Sequence, residues 1–361
     1  MKKKYMLICS TLVIAMAAIT MTGCRGQNQT AKSSSAEASV AIVNSYDNTE
    51  ELATKYPVIN PTQIDTHLAK KIQNRLLSGF ENWNRGYDAW AKWGNILYTN
   101  DSHYNVHGVR LTMDEYKASM NMSLKTADIQ MGNFNNMIIS GDWAAIRYDI
   151  TNTNRQTGKS VPGTVMEFVK FKDYGNDLGV RVVEGWAGTK GEDFDAMSGM
   201  QTDEEKVAQQ KALNSVVNAT IPDTNDLEEK YPVTNPTPIK TEEAKKIQSA
   251  ILNDFDNWNQ GYDTWAKWAD AYYDTNLQYH TDKSTLTLTE YKDSVKKDSD
   301  ATDVKRINFD NMLISGDWAA IHYRVTNTDK ITGKKTARDA MQFLHFAIKG
   351  DKVKLIECWT K

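Results

Sequence analysis

Residues 137–153 read "MIISGDWAAIRYDITNT", and residues 312–328 read "MLISGDWAAIHYRVTNT". In both, Gly-Asp separates two runs of alternating letters, the pattern of antiparallel strands joined by a tight turn. Strand side chains alternate between faces. Trp143, Ala145, Arg147 and Asp149 therefore share one face, and Ala144, Ile146, Tyr148 and Ile150 share the other. The second copy sets Trp318, Ala320, His322 and Arg324 against Ala319, Ile321, Tyr323 and Val325. The apolar face keeps its character. On the other face, Arg147 has become His322 and Asp149 has become Arg324.

The likeness extends well beyond these strands. Shifted by 175 residues, the chain overlays on itself without a gap from Asn48 to Phe171. "KYPVINPT" (55–62) meets "KYPVTNPT" (230–237), and "ENWNRGYDAWAKW" (81–93) meets "DNWNQGYDTWAKW" (256–268). After a two-residue deletion, "VVEGW" (182–186) meets "LIECW" (355–359). The 10 tryptophans of the chain fall into pairs: Trp83 with Trp258, Trp90 with Trp265, Trp93 with Trp268, Trp143 with Trp318, Trp186 with Trp359. A period this long marks two whole domains, because solenoid units run roughly 20–50 residues. A chain of 361 residues suits that count.

Each repeat has one order of elements. After a Pro-containing loop, Leu68, Ile72, Leu76, Phe80 and Trp83 lie on one helical face, as do Ile247, Ile251, Phe255 and Trp258. Gly86 or Gly261 ends that helix, and a shorter aromatic helix follows. A short strand comes next, "HYNV" or "QYHT", then a helix opened by Thr112-x-x-Glu115 or Thr287-x-x-Glu290, the capping-box spacing. The remainder reads as antiparallel hairpins. Helices first and strands afterwards predict an α+β fold, with two tandem domains whose N-terminal helices pack on a curved antiparallel sheet. Between them, residues 202–219 predict a linker helix begun at Thr202 with Glu205.

This order, the "NRGYDAW" helix turn, the "GDWAAIRY" strand and the terminal "VVEGW" resemble the SnoaL-like branch of the nuclear-transport-factor-2-like superfamily. The resemblance covers nearly all of both repeats and implies a cone, with a pocket at the open end of each bent sheet. Members of that superfamily often dimerise through the convex face of the sheet. A tandem chain could meet that need internally as a pseudo-dimer, although two beads on a linker remain an alternative.

The N-terminus carries targeting signals rather than fold. Lys2, Lys3 and Lys4 precede the apolar run "YMLICSTLVIAMAAIT" and then "MTGC", which resembles a bacterial lipoprotein signal with Cys24 as the lipidated residue. The expected organisation is a signal peptide at 1–23, a tether at 24–47, SnoaL-like domains at 48–190 and 223–361, and a linker at 191–222. The protein would then sit in the cell envelope, lipid-anchored to the bacterial membrane on its extracytoplasmic side. Of 3 cysteines, Cys9 leaves with the signal and Cys24 takes lipid, so Cys358 has no disulfide partner. A net charge of −3 and no basic stripe exclude a nucleic-acid reading.

Candidate chemistry is sparse. Arg147-x-Asp149 resembles the Arg-x-Asp pair of limonene-epoxide-hydrolase-like members, where a carboxylate activates water beside a guanidinium; Tyr98 or His107 would assist. Against this, two copies of one proton-transfer device would keep the same residue types, and Arg/Asp against His/Arg cannot do the same work. The competing reading leaves these charges solvated or in a contact between the domains. SnoaL-type cyclases carry an acid–base Asp after the last-strand Trp; the matching positions here are Ala187 and Thr360. His103 and His107 would lie about 13 Å apart in an extended segment at roughly 3.3 Å per residue, too far for one zinc. No metal or cofactor is expected. The rings are what repeats: Trp90, Trp93, Tyr98 and Tyr104 against Trp265, Trp268, Tyr273 and Tyr279. With His322 and Arg324, these are the candidate linings for an apolar or sugar-like small molecule. Binding or interaction is the favoured function; a lyase, isomerase or epoxide-hydrolase-like enzyme using the first pocket is the alternative.

Overall fold

The computed structural model describes residues 49–106, 109–175, 179–188 and 203–361. These all belong to one compact unit, Val40–Lys361. The first repeat runs α1 (Thr49–Lys55), β1 (Val58–Pro61), α2 (His67–Asn84), α3 (Tyr87–Leu97), β2 (Tyr98–Val106), β3 (Val109–Thr112), α4 (Met113–Thr126), β4 (Ala127–Ser140), β5 (Trp143–Asn154), β6 (Ser160–Asp173) and β7 (Val180–Gly188). Helix α5 (Asp203–Val217) follows. The second repeat runs α6 (Leu227–Lys230), β8 (Val233–Asn235), α7 (Glu242–Asn259), α8 (Tyr262–Tyr272), β9 (Tyr273–His280), β10 (Thr285–Leu286), α9 (Leu288–Ala301), β11 (Thr302–Ser315), β12 (Trp318–Asp329), β13 (Lys335–Lys349) and β14 (Lys352–Thr360).

Local chemistry fixes the ends of these elements. Thr66 and Thr241 each accept a hydrogen bond from the backbone three residues on, starting α2 and α7. Thr112 with Glu115, and Thr287 with Glu290, form complete capping boxes at α4 and α9. Gly86 and Gly261 precede α3 and α8 at φ 108° and 110°, backbone that a side chain would strain.

The architecture is α+β, with two seven-stranded sheets, β1-β4-β5-β6-β7-β2-β3 and β10-β9-β14-β13-β12-β11-β8. The hairpins pair antiparallel as expected. Two parallel pairings close each sheet and differ from the sequence expectation. The Pro-containing "loop" forms edge strand β1 or β8 beside β4 or β11, and the strand after the aromatic helix lies parallel to the last strand. It also starts earlier than expected, at Tyr98 or Tyr273. Helix α5 is shorter than the expected span of 202–219.

On the helix side of each sheet lies a core. Phe80 stacks on Phe134 at 3.9 Å and Phe255 on Phe309 at 4.0 Å, with edge-on Trp83–Trp90 and Trp258–Trp265 pairs beside them. The opposite faces meet each other. Ile138, Trp143, Ala145, Met166 and Phe168 of the first repeat form one buried cluster with Leu313, Trp318, Ala320, Met341 and Phe343 of the second. The contact is reciprocal. The Arg147 guanidinium lies 3.8 Å from the ring of Trp359, and the His322 ring lies 6.0 Å from Trp186, the repeat counterpart of Trp359. Matched positions of the two repeats thus meet on both sides of the contact.

Candidate functional site

The recess in the second repeat is walled by α7, α8, β9, α9 and the concave face of the sheet. Its free volume is ≈ 20 Å³. That is room for about one water. Its walls are mainly rings and aliphatics: Trp268, Tyr273, Tyr279, Tyr291, Leu344 and Phe346. Tyr272, 46% exposed, stacks on Trp268 at 4.8 Å and belongs to the lining.

A charge pair lies among these rings. Asp254, on α7, accepts hydrogen bonds from Trp265 Nε1 at 3.0 Å and Tyr273 OH at 2.8 Å. Its other oxygen pairs with Arg306 Nη1. Arg306, on β11, is 3% exposed, with its guanidinium 4.0 Å from the Trp258 ring and 4.9 Å from Phe255. Burial works against that charge, but the Asp254 carboxylate holds the guanidinium above its ordinary value. Burial also pushes the Tyr273 and Tyr291 phenols and the Cys358 thiol well up, so they are neutral. Three donors on the Asp254 carboxylate tie α7 to α8, β9 and β11.

The first repeat solves the same space differently. Gly79 stands where Asp254 does, Met131 replaces Arg306, and Gly185 replaces Cys358. A Cβ on Gly79 would meet Trp93 at 2.7 Å, and one on Gly185 would meet Tyr104 at 2.3 Å. These rings occupy space that side chains take in the second repeat. The carboxylate has moved to the sheet. Glu167, where the second repeat has Gln342, accepts from Tyr104 OH and Tyr148 OH, each at 2.6 Å. Burial raises its pKa, against the pull of both tyrosines.

Of the residues singled out in the sequence, Trp268, Tyr273 and Tyr279 line the second recess, and Trp265 braces Asp254 behind it. Trp90, Trp93 and Tyr104 are buried, and Tyr98 packs against them. Arg147 and Asp149 do not line the first cone as a catalytic pair. Arg147 faces Trp359 and donates to Asn136 at 2.9 Å, whereas Asp149 accepts from Asn135 at 2.7 Å and Thr164 at 3.4 Å. His322 and Arg324 likewise lie on the side of the sheet away from the recess, because residue parity sends them toward the interface with Trp318 and Ala320. His107 and Cys24 lie outside the described residues.

Asp254, Arg306 and Glu167 were missed by sequence reading, since none recurs at the repeat offset. One signal was available. Asp254 follows Ile251 by three residues on the apolar face of its helix, where an unpaired charge would be costly.

No family model matches the chain, and no curated protein matches it. Solved structures do. A protein from Jannaschia sp. CCS1 described as a candidate SnoaL-like polyketide cyclase is 14% identical, with 40% of this chain and 99% of that chain covered and a TM-score of 0.30. A ketosteroid isomerase-like protein from Erwinia carotovora is 20% identical, covering 33% and 92% at 0.26. An NTF2-like protein of unknown function from Burkholderia pseudomallei is 13% identical, covering 37% and 98% at 0.28.

Proposed function

We propose that this protein is a lipid-anchored cell-envelope lipoprotein with two SnoaL-like domains, in which the second repeat binds an apolar or sugar-like small molecule and the first serves as its scaffold. One observation carries this: the second repeat keeps a ring-lined recess beside a buried Asp254–Arg306 pair, while in the first Trp93 and Tyr104 pack over Gly79 and Gly185. Rings with a few fixed polar groups suit recognition of a ligand with one polar end. Ligand entry requires the Trp268–Tyr272 stack to move, since the free space holds about one water.

Binding is tested with the apolar anion anilinonaphthalene sulfonate and with fractionated metabolite extracts, read by fluorescence and by melting temperature. Saturable binding that raises the melting temperature is expected. Ala250→Phe, which fills the recess from α7, should abolish it and leave the fold intact. Binding that survives Ala250→Phe unchanged would locate the ligand elsewhere. The anchor has its own test: Cys24→Ala, or globomycin treatment, should leave an unprocessed precursor in membranes. Normal maturation of Cys24→Ala would end the lipoprotein assignment.

Catalysis in the first repeat finds less support. Its buried carboxyl with a raised pKa, Glu167, has a tyrosyl hydroxyl on each oxygen.

A further inference from the structure

On the other side of the second sheet, three neighbouring strands bring Asp310, His322 and Asp339 together, with one ligand atom from each within 4.8 Å of the others. The ladder explains how. His322 lies opposite Asn311, Arg324 opposite Asp339, and the register between β11 and β12 slips at Asp310, between Phe309 and Asn311. A bulge of this kind re-aims one side chain out of the alternation. Here Phe309 enters the core and Asn311 is buried, while Asp310 turns toward Arg324.

His322 is the informative residue. It is wholly buried, its Nε2 lies 4.0 Å from Asp339 Oδ1, and neither ring nitrogen has a hydrogen-bond partner. Asn311 across the ladder leaves both its Oδ1 and Nδ2 unpaired as well. Orphaned buried polar groups are costly and call for an explanation. The first repeat carries no such set. At the same positions it has Asn135, Arg147 and Thr164; Arg147 Nε donates to Asn136 Oδ1, and there only Asn136 Nδ2 is left unpaired.

We propose that Asp310, His322 and Asp339 form a binding site for a divalent transition-metal ion, with Arg324 as its built-in competitor. One imidazole and two carboxylates suit Zn²⁺, Mn²⁺, Fe²⁺ or Co²⁺, the nitrogen ligand disfavouring Mg²⁺ and Ca²⁺. Arg324 Nε lies 3.1 Å from Asp310 and 3.5 Å from Asp339, and its side chain is 32% exposed. It neutralises the carboxylates without a metal and can swing to solvent when one arrives. Asp339, 35% exposed, gives the ion its entrance, and His322 closes the inner end. The site is separate from the recess on the concave side and stands or falls independently of it.

The test uses the full-length protein, titrated with Zn²⁺, Mn²⁺ and Co²⁺ by calorimetry and, for Co²⁺, by visible absorption. Saturable binding at one equivalent is expected, with cobalt bands that Zn²⁺ abolishes. Asp339→Thr, the first repeat's residue at a partly exposed position, should weaken binding by about tenfold or more. Arg324→Gln should do the opposite and tighten it, a result that a purely structural arginine would not produce. If wild type and Arg324→Gln both fail to bind up to millimolar metal, or if Asp339→Thr binds as wild type does, the proposal is overturned and His322 and Asn311 are served by water.

Discussion

Glu167 and Gln342 occupy matched places on β6 and β13, and the difference of one atom type has an energetic consequence. Burial favours the protonated acid, so the folded protein holds the Glu167 proton to higher pH than the unfolded chain does. The sign follows from linkage. No penalty exists in acid; one grows as pH rises from the ordinary carboxylate range through the folded value. Glu167→Gln, which borrows the second repeat's residue, removes that titration. Its stability relative to wild type should improve with rising pH and lose the advantage in acid, read from urea midpoints between about pH 4 and pH 8. A constant difference across the range would show that Glu167 does not titrate on unfolding. This carboxyl was illegible in the sequence because its meaning lies in Tyr104 and Tyr148, 63 and 19 residues away.

Among elements, the helix starts and hairpins were legible because their causes are local. Thr112 and Glu115 satisfy backbone donors within one turn, and Gly141 and Gly316 sit at the tight turns with φ near 60°. Removing such a device has a calculable cost. Thr112→Ala should destabilise by about 1 kcal/mol. Gly86→Ala should cost more, about 1–3 kcal/mol, because the obstacle is backbone conformation: nothing lies within 4 Å of a Cβ placed there. If thermal unfolding ranks Thr112→Ala above Gly86→Ala in damage, the strain argument at the α2–α3 junction fails. The parallel pairings of β1 with β4 and of β2 with β7 were not legible. No turn links those partners, and only closure of the whole sheet makes the short strands worthwhile.

At the scale of the molecule, the face bearing Trp143 and Trp318 decides behaviour. Sequence alternation identified the face correctly but left its covering open between solvent and a domain contact; Leu313, Trp318, Met341 and Phe343 are buried against the first repeat. A fragment beginning at Asp223 contains the complete second sheet yet exposes this patch. We expect it to fold as a homodimer through that face, or to fold only when the first repeat is added, as light scattering and circular dichroism would reveal. A soluble folded monomer would show that the repeats are independent beads.

A dimer of identical chains presents every substitution on both sides of its axis, so an arginine gained there must tolerate its own twin. Covalent continuity lifts that restriction. With Arg147 on Trp359 at one end of the contact and His322 near Trp186 at the other, each half of this seam can vary alone, and the joined chain keeps both halves together at any dilution.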